Sequence, residues 1–234
     1  MTTSPQEKKP DYSDRVLVTI HGVTSDNKGL ATLRTHCEKK LPGLIGESFY
    51  YGSVVPFKEL TEDTAYAVFL AVRDRLELLN DRHIRNQGRK LFIAAHSFGT
   101  LAAIRALEMR IPDLAIDGLF LMGSIVPRYY YWDGLIESGQ LRTPPLSVVR
   151  PLDRVVRAAF AVGGGSSGAS GFIANGRHRP LETFKSGGHT AYAENDGDDL
   201  VAFIRDGANA VKMCDYAAWI AGISFLEKLR YKLI

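Results

Sequence analysis

The sequence has few of the features that mark secreted, metal-binding or nucleic-acid-binding proteins. Its 234 residues include only two cysteines, Cys37 and Cys214, which are too few for a disulfide framework or a cysteine-rich zinc site and are typical of a reducing compartment. The 29 basic and 26 acidic side chains leave a net charge of +3, so the composition gives no support for a nucleic-acid partner. Residues 1–14 are polar and lack the apolar stretch of a secretory signal. We therefore expect a cytoplasmic protein.

Long hydrophobic runs are also missing. The apolar stretch at residues 217–226 is interrupted by a glycine and a serine, and it is too short to span a bilayer. We expect a C-terminal helix over residues 209–229 that covers the sheet, with a membrane-surface or dimer contact as the alternative. The chain length suits one large domain, which we place at residues 15–234, after a flexible N-terminal arm at residues 1–14.

Apolar strand patterns alternate with helical patterns along the chain. Strands are predicted at residues 15–20, 47–51, 91–95, 118–123, 146–150 and 181–185, and helices at residues 30–40, 65–79, 101–107 and 198–206. This alternation predicts a parallel sheet with helices on both faces and with ligands at the carboxyl ends of the strands. Five short segments follow a predicted strand and should gather at that edge: His21-Gly22, Ser97, Ser124, Asp153 and His189. The glycine-rich residues 163–171 are expected to form a flexible loop.

The most informative stretch is residues 90–100, KLFIAAHSFGT. A short apolar strand is followed by a sharp turn around Ser97, and a helical pattern begins after Gly99. Ala95 and Gly99 lie two residues before and two residues after Ser97, where small side chains let the strand and the helix come close. This is the G-x-S-x-G nucleophile elbow with alanine in first place, and it occurs between a strand and a helix as the motif requires. We therefore predict that Ser97 is a nucleophile.

A serine nucleophile needs an imidazole to take its proton and a carboxylate to orient that imidazole. His189 follows the last predicted strand, after two glycines, and is our choice for the base; the other five histidines lie in less suitable positions. Asp153 follows the strand at residues 146–150 and is our choice for the acid. A helix N-cap is the competing interpretation of Asp153. Asp133 is the second candidate for the acid.

These segments resemble the core blocks of the α/β-hydrolase superfamily, most closely its compact lipase- and esterase-like members. The resemblance rests on the blocks VTIHG at 18–22, AHSFGT at 95–100, DRVV at 153–156 and GH at 188–189, and on the order nucleophile, acid, histidine. It implies an α/β fold with a reduced, mostly parallel sheet of about six strands, helices on both faces and little or no cap. It also implies an oxyanion hole made by the backbone N–H groups of Phe98 and of Val23 or its neighbour.

The resemblance further implies a serine hydrolase that cleaves a carboxylic ester, without a metal or an organic cofactor. The substrate would be a small-molecule or lipid ester, with thioesters open. Residues expected near it are His21 and Gly22 in the oxyanion loop, and Tyr129, Tyr130 and Trp132 in an aromatic cluster that fits simple packing equally well. The alternative is a catalytically silent binding or scaffold module on the same fold. The presence of all three triad residue types favours the enzyme.

Overall fold

Six short apolar segments form one parallel sheet in the computed structural model, which describes residues 10–22, 28–51, 61–159, 165–207 and 211. The strands are β1 (Arg15–Ile20), β2 (Ile45–Phe49), β3 (Lys90–His96), β4 (Gly118–Met122), β5 (Leu146–Val149) and β6 (Leu181–Phe184). They lie in the order β2-β1-β3-β4-β5-β6, and every neighbouring pair is parallel. The predicted parallel sheet of about six strands is confirmed.

Helices cover both faces of this sheet. They are α1 (Lys28–Lys40), α2 (Glu62–Leu79), α3 (Phe98–Glu108), α4 (Asp133–Glu137), α5 (Arg154–Ala159), α6 (Ser167–Ser170), α7 (Tyr192–Asn195) and α8 (Gly197–Asp206), with a π-helical turn at Asn80–Arg85 after α2. The side chains of β1 point alternately to the two faces of the sheet. Val16 and Val18 belong to the apolar cluster formed with α2 and α3, whereas Leu17 belongs to the cluster formed with α1 and α8. The four predicted helices with described residues are confirmed. The helix predicted over residues 209–229 lies outside the described residues, apart from Val211.

The stretch between β4 and β5 is described throughout, and α4 is its one helix. This agrees with the expectation of little or no cap at that point of the chain. Among the described helices, none has the length and apolar character needed to cross a membrane.

The N-terminal boundary of the domain was predicted too late in the chain. Tyr12, which lies within the predicted flexible arm, is buried, and its N–H donates to Pro42 O at 2.9 Å. The Arg15 guanidinium lies 5.0 Å above the Tyr12 ring, and Asp14 O accepts a hydrogen bond from Lys90 N at 2.8 Å. The burial of an aromatic ring offsets the entropy lost on ordering these few residues. Residues 1–9 lie outside the described residues.

The expectation of a flexible loop is wrong for residues 165–171. Gly165 N and Gly168 N donate to Ile125 O and Ser124 O at 2.7 and 2.8 Å, so this segment packs against the chain that leaves β4. An ideal Cβ on Gly168 would overlap Ser124 N. The glycines therefore permit close backbone approach rather than motion. The remaining glycine-rich residues, 163 and 164, lie outside the described residues.

Candidate active site

Ser97 occupies a sharp turn between β3 and α3. Its backbone torsions, φ 55° and ψ −126°, lie in a region that residues other than glycine rarely adopt. Ser97 N donates to Met122 O at 2.9 Å, and Ser97 O accepts from Thr100 N and Thr100 Oγ1 at 3.0 and 2.6 Å. These hydrogen bonds hold the turn at the carboxyl end of β3. Ser97 therefore has the backbone geometry of the predicted elbow.

Two glycines let other segments approach this turn. An ideal Cβ on Gly99 would lie 2.5 Å from the carbonyl oxygens of Ile20 and His21, so α3 can begin this close to β1 only with glycine there. An ideal Cβ on Gly22 would lie 2.7 Å from Ser97 Cβ and 3.2 Å from Ser97 Oγ. The end of β1 is thus in direct contact with the candidate nucleophile.

The His21 side chain supports this end of β1. Its Nδ1 lies 2.5 Å from Gly22 O, and its Nε2 accepts a hydrogen bond from Tyr51 N at 3.4 Å. Because a carbonyl can only accept, Nδ1 carries the hydrogen and the ring is neutral, in agreement with burial lowering the pKa of His21. Tyr51 also stacks on the ring, with centroids 4.1 Å apart, and donates its hydroxyl hydrogen to His21 O. Both ring nitrogens are engaged by the protein backbone, so His21 orients the loop that carries Gly22.

His189 and Asp153 form a hydrogen-bonded pair, with His189 Nδ1 2.9 Å from Asp153 Oδ2. The Asp153 side chain is fully buried, whereas 18% of the His189 side chain is exposed. The His189 ring packs over Gly123, where an ideal Cβ would lie 3.2 Å from Nδ1 and from Cε1. Since the carboxylate accepts, Nδ1 carries the hydrogen, so in the neutral ring the lone pair is on Nε2. That is the tautomer a general base requires.

Asp153 uses its two carboxylate oxygens for different tasks. Oδ1 accepts a hydrogen bond from Val156 N at 3.0 Å, in the first turn of α5, while Oδ2 accepts from His189. The helix cap and the pairing with a histidine are therefore not competing interpretations of Asp153, contrary to the prediction from the sequence. A carboxylate has enough lone pairs for both roles.

Asp133, the second candidate for the acid, lies elsewhere. It is buried at the start of α4, and its two oxygens accept hydrogen bonds from Arg177 N and His178 N, each at 2.7 Å. These backbone hydrogen bonds hold the pKa of the Asp133 carboxyl below its usual value. Asp133 therefore fixes the chain ahead of β6, and its hydrogen bonds do not involve His189.

Ser97 and His189 lie on the same edge of the sheet, although no direct hydrogen bond joins them among the described residues. The link runs through His96, whose ring centroid lies 4.5 Å from that of His189 and whose Nε2 donates to His189 O at 3.2 Å. Burial and the neighbouring His189 lower the pKa of His96 to about 3, so its ring is neutral. Contacts between nucleophile and base are often loose in a free enzyme and tighten with bound substrate.

Sequence reasoning missed three side chains that support the pair. The sequence gives His96 no role in the site, yet its side chain holds the backbone of His189. Tyr192 donates its hydroxyl hydrogen to Asp153 Oδ2 at 3.2 Å, and the Arg150 guanidinium lies 4.6 Å above the Tyr192 ring. Their positions in the sequence could have indicated this role. His96 precedes Ser97, Arg150 directly follows β5, and Tyr192 follows His189 by three residues.

The aromatic cluster contributes mainly to packing. Trp132 is buried and meets the Phe172 ring edge-on, with centroids 5.4 Å apart. Tyr130 donates to Glu108 Oε1 at 2.9 Å, at the far end of α3. That end is about 15 Å from Ser97, given the rise of an α-helix. Tyr129 is 65% exposed.

Two predictions remain, namely the donors of the oxyanion hole and the metal-free site. Phe98 begins α3, so its N–H has no partner within the helix and is available next to Ser97. Val23 lies outside the described residues. Within the described part of the chain, no three His, Cys, Asp or Glu side chains are grouped as metal ligands.

Comparison with family models and with curated proteins finds no match. Solved structures do match. An uncharacterized protein from Bacillus cereus is 13% identical with a TM-score of 0.52, over 88% of this chain but 64% of that one, so this chain spans less than two thirds of its length. TT1662 from Thermus thermophilus is 19% identical with a TM-score of 0.53, over 85% and 91% of the two chains. A cold-adapted esterase from an Arctic intertidal metagenomic library is 13% identical with a TM-score of 0.53, over 87% and 85%. At these identities, the similarity is one of fold.

Proposed function

The chain has the α/β-hydrolase fold, and on that premise we propose that it is a serine hydrolase that cleaves carboxylic esters through an acyl-enzyme on Ser97. His189 is the general base and Asp153 the acid that orients it. The observation that carries the proposal is the 2.9 Å hydrogen bond between buried Asp153 and His189, at the sheet edge where Ser97 is held in a strained turn. A histidine with its Nδ1 hydrogen fixed by a carboxylate presents Nε2 as a base.

Acylation begins when His189 Nε2 takes the hydroxyl proton of Ser97 while Oγ forms a bond to the acyl carbon. The carbonyl electron pair moves to oxygen, giving a tetrahedral oxyanion beside the Phe98 N–H. Val23 N–H is proposed as the second donor. The intermediate collapses when the bond to the alcohol oxygen breaks, and the alcohol leaves with the proton from His189. Asp153 stabilises the imidazolium that forms between these steps.

Deacylation repeats this sequence with water. His189 Nε2 takes a proton from water as its oxygen attacks the acyl carbon, and the second tetrahedral intermediate expels Ser97 Oγ, which recovers a proton from His189. The products are a carboxylic acid and an alcohol, and no redox step or cofactor is needed for the balance.

The substrate class is proposed from the fold and from the surroundings of the site. One fold neighbour is described as an esterase, which supports an ester. The chain between β4 and β5 contributes only α4, so this stretch does not supply a domain-sized cover. The proposed cytoplasmic location rests on composition, because two cysteines are too few for a disulfide framework.

The test is covalent labelling with a fluorophosphonate, followed by peptide mass spectrometry and turnover of p-nitrophenyl esters. We expect an adduct on Ser97 in the wild type, and neither an adduct nor turnover in Ser97→Ala. Ser124→Ala is the matched control, since Ser124 follows the neighbouring strand and is also buried, and it should keep the label. A label on another residue, or no label, would overturn the proposal and favour the silent binding module. Parallel assays of thioesters distinguish that substrate class.

A further inference from the structure

Two donors share one oxygen of the Asp153 carboxylate. His189 Nδ1 lies 2.9 Å from Oδ2, and Tyr192 Oη donates to the same atom at 3.2 Å. Both Asp153 and Tyr192 are buried, so solvent competes little with these hydrogen bonds. The tyrosine hydroxyl therefore acts on the negative charge that His189 faces.

The Tyr192 ring is fixed by Arg150. The Arg150 guanidinium lies 4.6 Å above the ring and forms a buried ion pair with Asp196 at 2.8 Å. Arg150 also donates to Ser186 O and to Ala191 O, at the two ends of the loop that carries His189. The hydroxyl of Tyr192 is thus held toward Asp153 by the same arginine that holds the histidine loop.

We propose that Tyr192 is a positioning residue that lowers the affinity of the His189 imidazole for a proton by drawing charge from Asp153 Oδ2. The inference rests on the proposed function for its catalytic meaning. A carboxylate stabilises an imidazolium less strongly when another donor shares its charge. Rotation of the Asp153 carboxylate is limited separately by Val156 N, which donates to Oδ1 at 3.0 Å, so Oδ2 should stay aimed at His189 when the tyrosine hydroxyl is removed.

The other described ionisable groups around Asp153 and His189 do not donate a hydrogen bond to the Asp153 carboxylate. His96 from β3 faces the His189 ring and is neutral. Arg150 lies across the Tyr192 ring, and its charge is offset by Asp196, which Lys185 also contacts at 3.0 Å. Neutral His21 lies at the end of β1. Among the described side chains, Tyr192 is thus the group besides His189 that donates to the Asp153 carboxylate.

The experiment compares Tyr192→Phe with Tyr12→Phe. The two tyrosines are matched, because each is buried beneath an arginine, but Tyr12 lies at the opposite end of the sheet. The readouts are the pH dependence of kcat/KM for a p-nitrophenyl ester and NMR titration of the histidine rings, assigned with His189→Gln.

In Tyr192→Phe, we expect the acidic midpoint of kcat/KM and the NMR midpoint of His189 to rise by roughly half a pH unit. Without the tyrosine hydroxyl, Asp153 Oδ2 keeps more of its negative charge, and this charge stabilises the protonated imidazole. Tyr12→Phe should match the wild type. Unchanged midpoints in Tyr192→Phe, with the fold intact by circular dichroism, would overturn the inference. The NMR titration needs no turnover, so a wild type without Ser97 labelling would defeat the proposed function and still leave this inference tested.

Discussion

Ser97 fills the space that a methyl group on Gly22 would need. An ideal Cβ on Gly22 would lie 2.7 Å from Ser97 Cβ, well inside van der Waals contact. The ends of β1 and β3 are therefore as close as backbone packing permits. This closeness brings the loop that should supply an oxyanion donor beside the hydroxyl that should attack the substrate.

Gly22→Ala should consequently damage both stability and activity. The new methyl group must displace the Ser97 turn, at a cost of about 1–3 kcal/mol, as for other overpacked sites. A displacement of this kind should lower kcat/KM by about 100-fold, because reacting groups lose their alignment. Gly134→Ala is the control, since Gly134 lies in α4 with its nearest neighbour 3.8 Å from an ideal Cβ. Urea unfolding and ester turnover would measure both effects, and wild-type values for Gly22→Ala would contradict the packing argument.

The strained backbone of Ser97 makes a separate prediction about stability. Glycine adopts φ 55° without the steric cost that a Cβ imposes, whereas alanine keeps that cost. We expect Ser97→Gly to be more stable than Ser97→Ala by about 1 kcal/mol, although both variants lack the Ser97 hydroxyl. The comparison requires only the unfolding free energies of the two variants and does not depend on activity. Equal stabilities would indicate that the turn is not strained.

Asparagine substitutions distinguish the two candidate acids. In Asp153→Asn the side-chain oxygen can still cap α5, but the amide NH2 faces His189 and imposes the wrong tautomer. We expect kcat to fall by roughly 10³–10⁴-fold with the fold retained. Asp133→Asn should instead lower Tm and leave kcat near the wild-type value, since its carboxylate holds backbone N–H groups. The reverse pattern would identify Asp133 as the acid.

Much of this arrangement was accessible from the sequence because the sheet is parallel. A run of buried residues such as 91–95 predicts a strand, and parallel strands end at one edge, so Ser97, Asp153 and His189 could be expected together. The structure pairs Asp153 with His189, while the approach of Ser97 to His189 and the three catalytic roles stay predictions. The elbow could be identified because Gly99 meets a steric requirement that depends on local backbone geometry.

Side-chain contacts between distant segments were not accessible in this way. The donation from Tyr192 to Asp153 depends on how the loop after β6 folds, and a single sequence does not specify that path. The glycines at 165 and 168 resembled a flexible loop because composition does not distinguish close packing from motion. Tyr12 was misassigned because its burial depends on a partner segment near Pro42.

His96 should make the protein sensitive to acid. Burial lowers its pKa from 6.5 to about 3, so the folded protein stays neutral there while the unfolded chain binds a proton. Its stabilising contribution is complete above pH 6.5 and is lost as the pH falls toward 3, at up to about 1.4 kcal/mol per pH unit. His96→Gln should reduce the slope of unfolding free energy against pH in this window. His21 adds a slope of the same sign that remains in the variant. Parallel curves from urea titrations would refute this role.

Substitutions at the buried ion pair of Arg150 and Asp196 can distinguish the contribution of Arg150 to stability from its role in positioning the His189 loop. Arg150→Met leaves the Asp196 carboxylate with only Lys185 as a cationic partner among the described residues, and we expect a loss of about 3–5 kcal/mol. The double variant Arg150→Met/Asp196→Leu removes both buried charges and should recover a large part of that loss.

Catalysis should not recover with stability, because Ser186 O and Ala191 O still lack the donor that holds the ends of the His189 loop. We therefore expect kcat/KM to stay low in both the single and the double variant, measured beside urea unfolding. Arg205→Met is the control, since both side chains of the Arg205–Asp206 ion pair are nearly half exposed and its loss should change stability little. Recovery of activity together with stability would mean that Arg150 serves the fold alone, because a clamp on the histidine loop cannot be replaced by apolar packing.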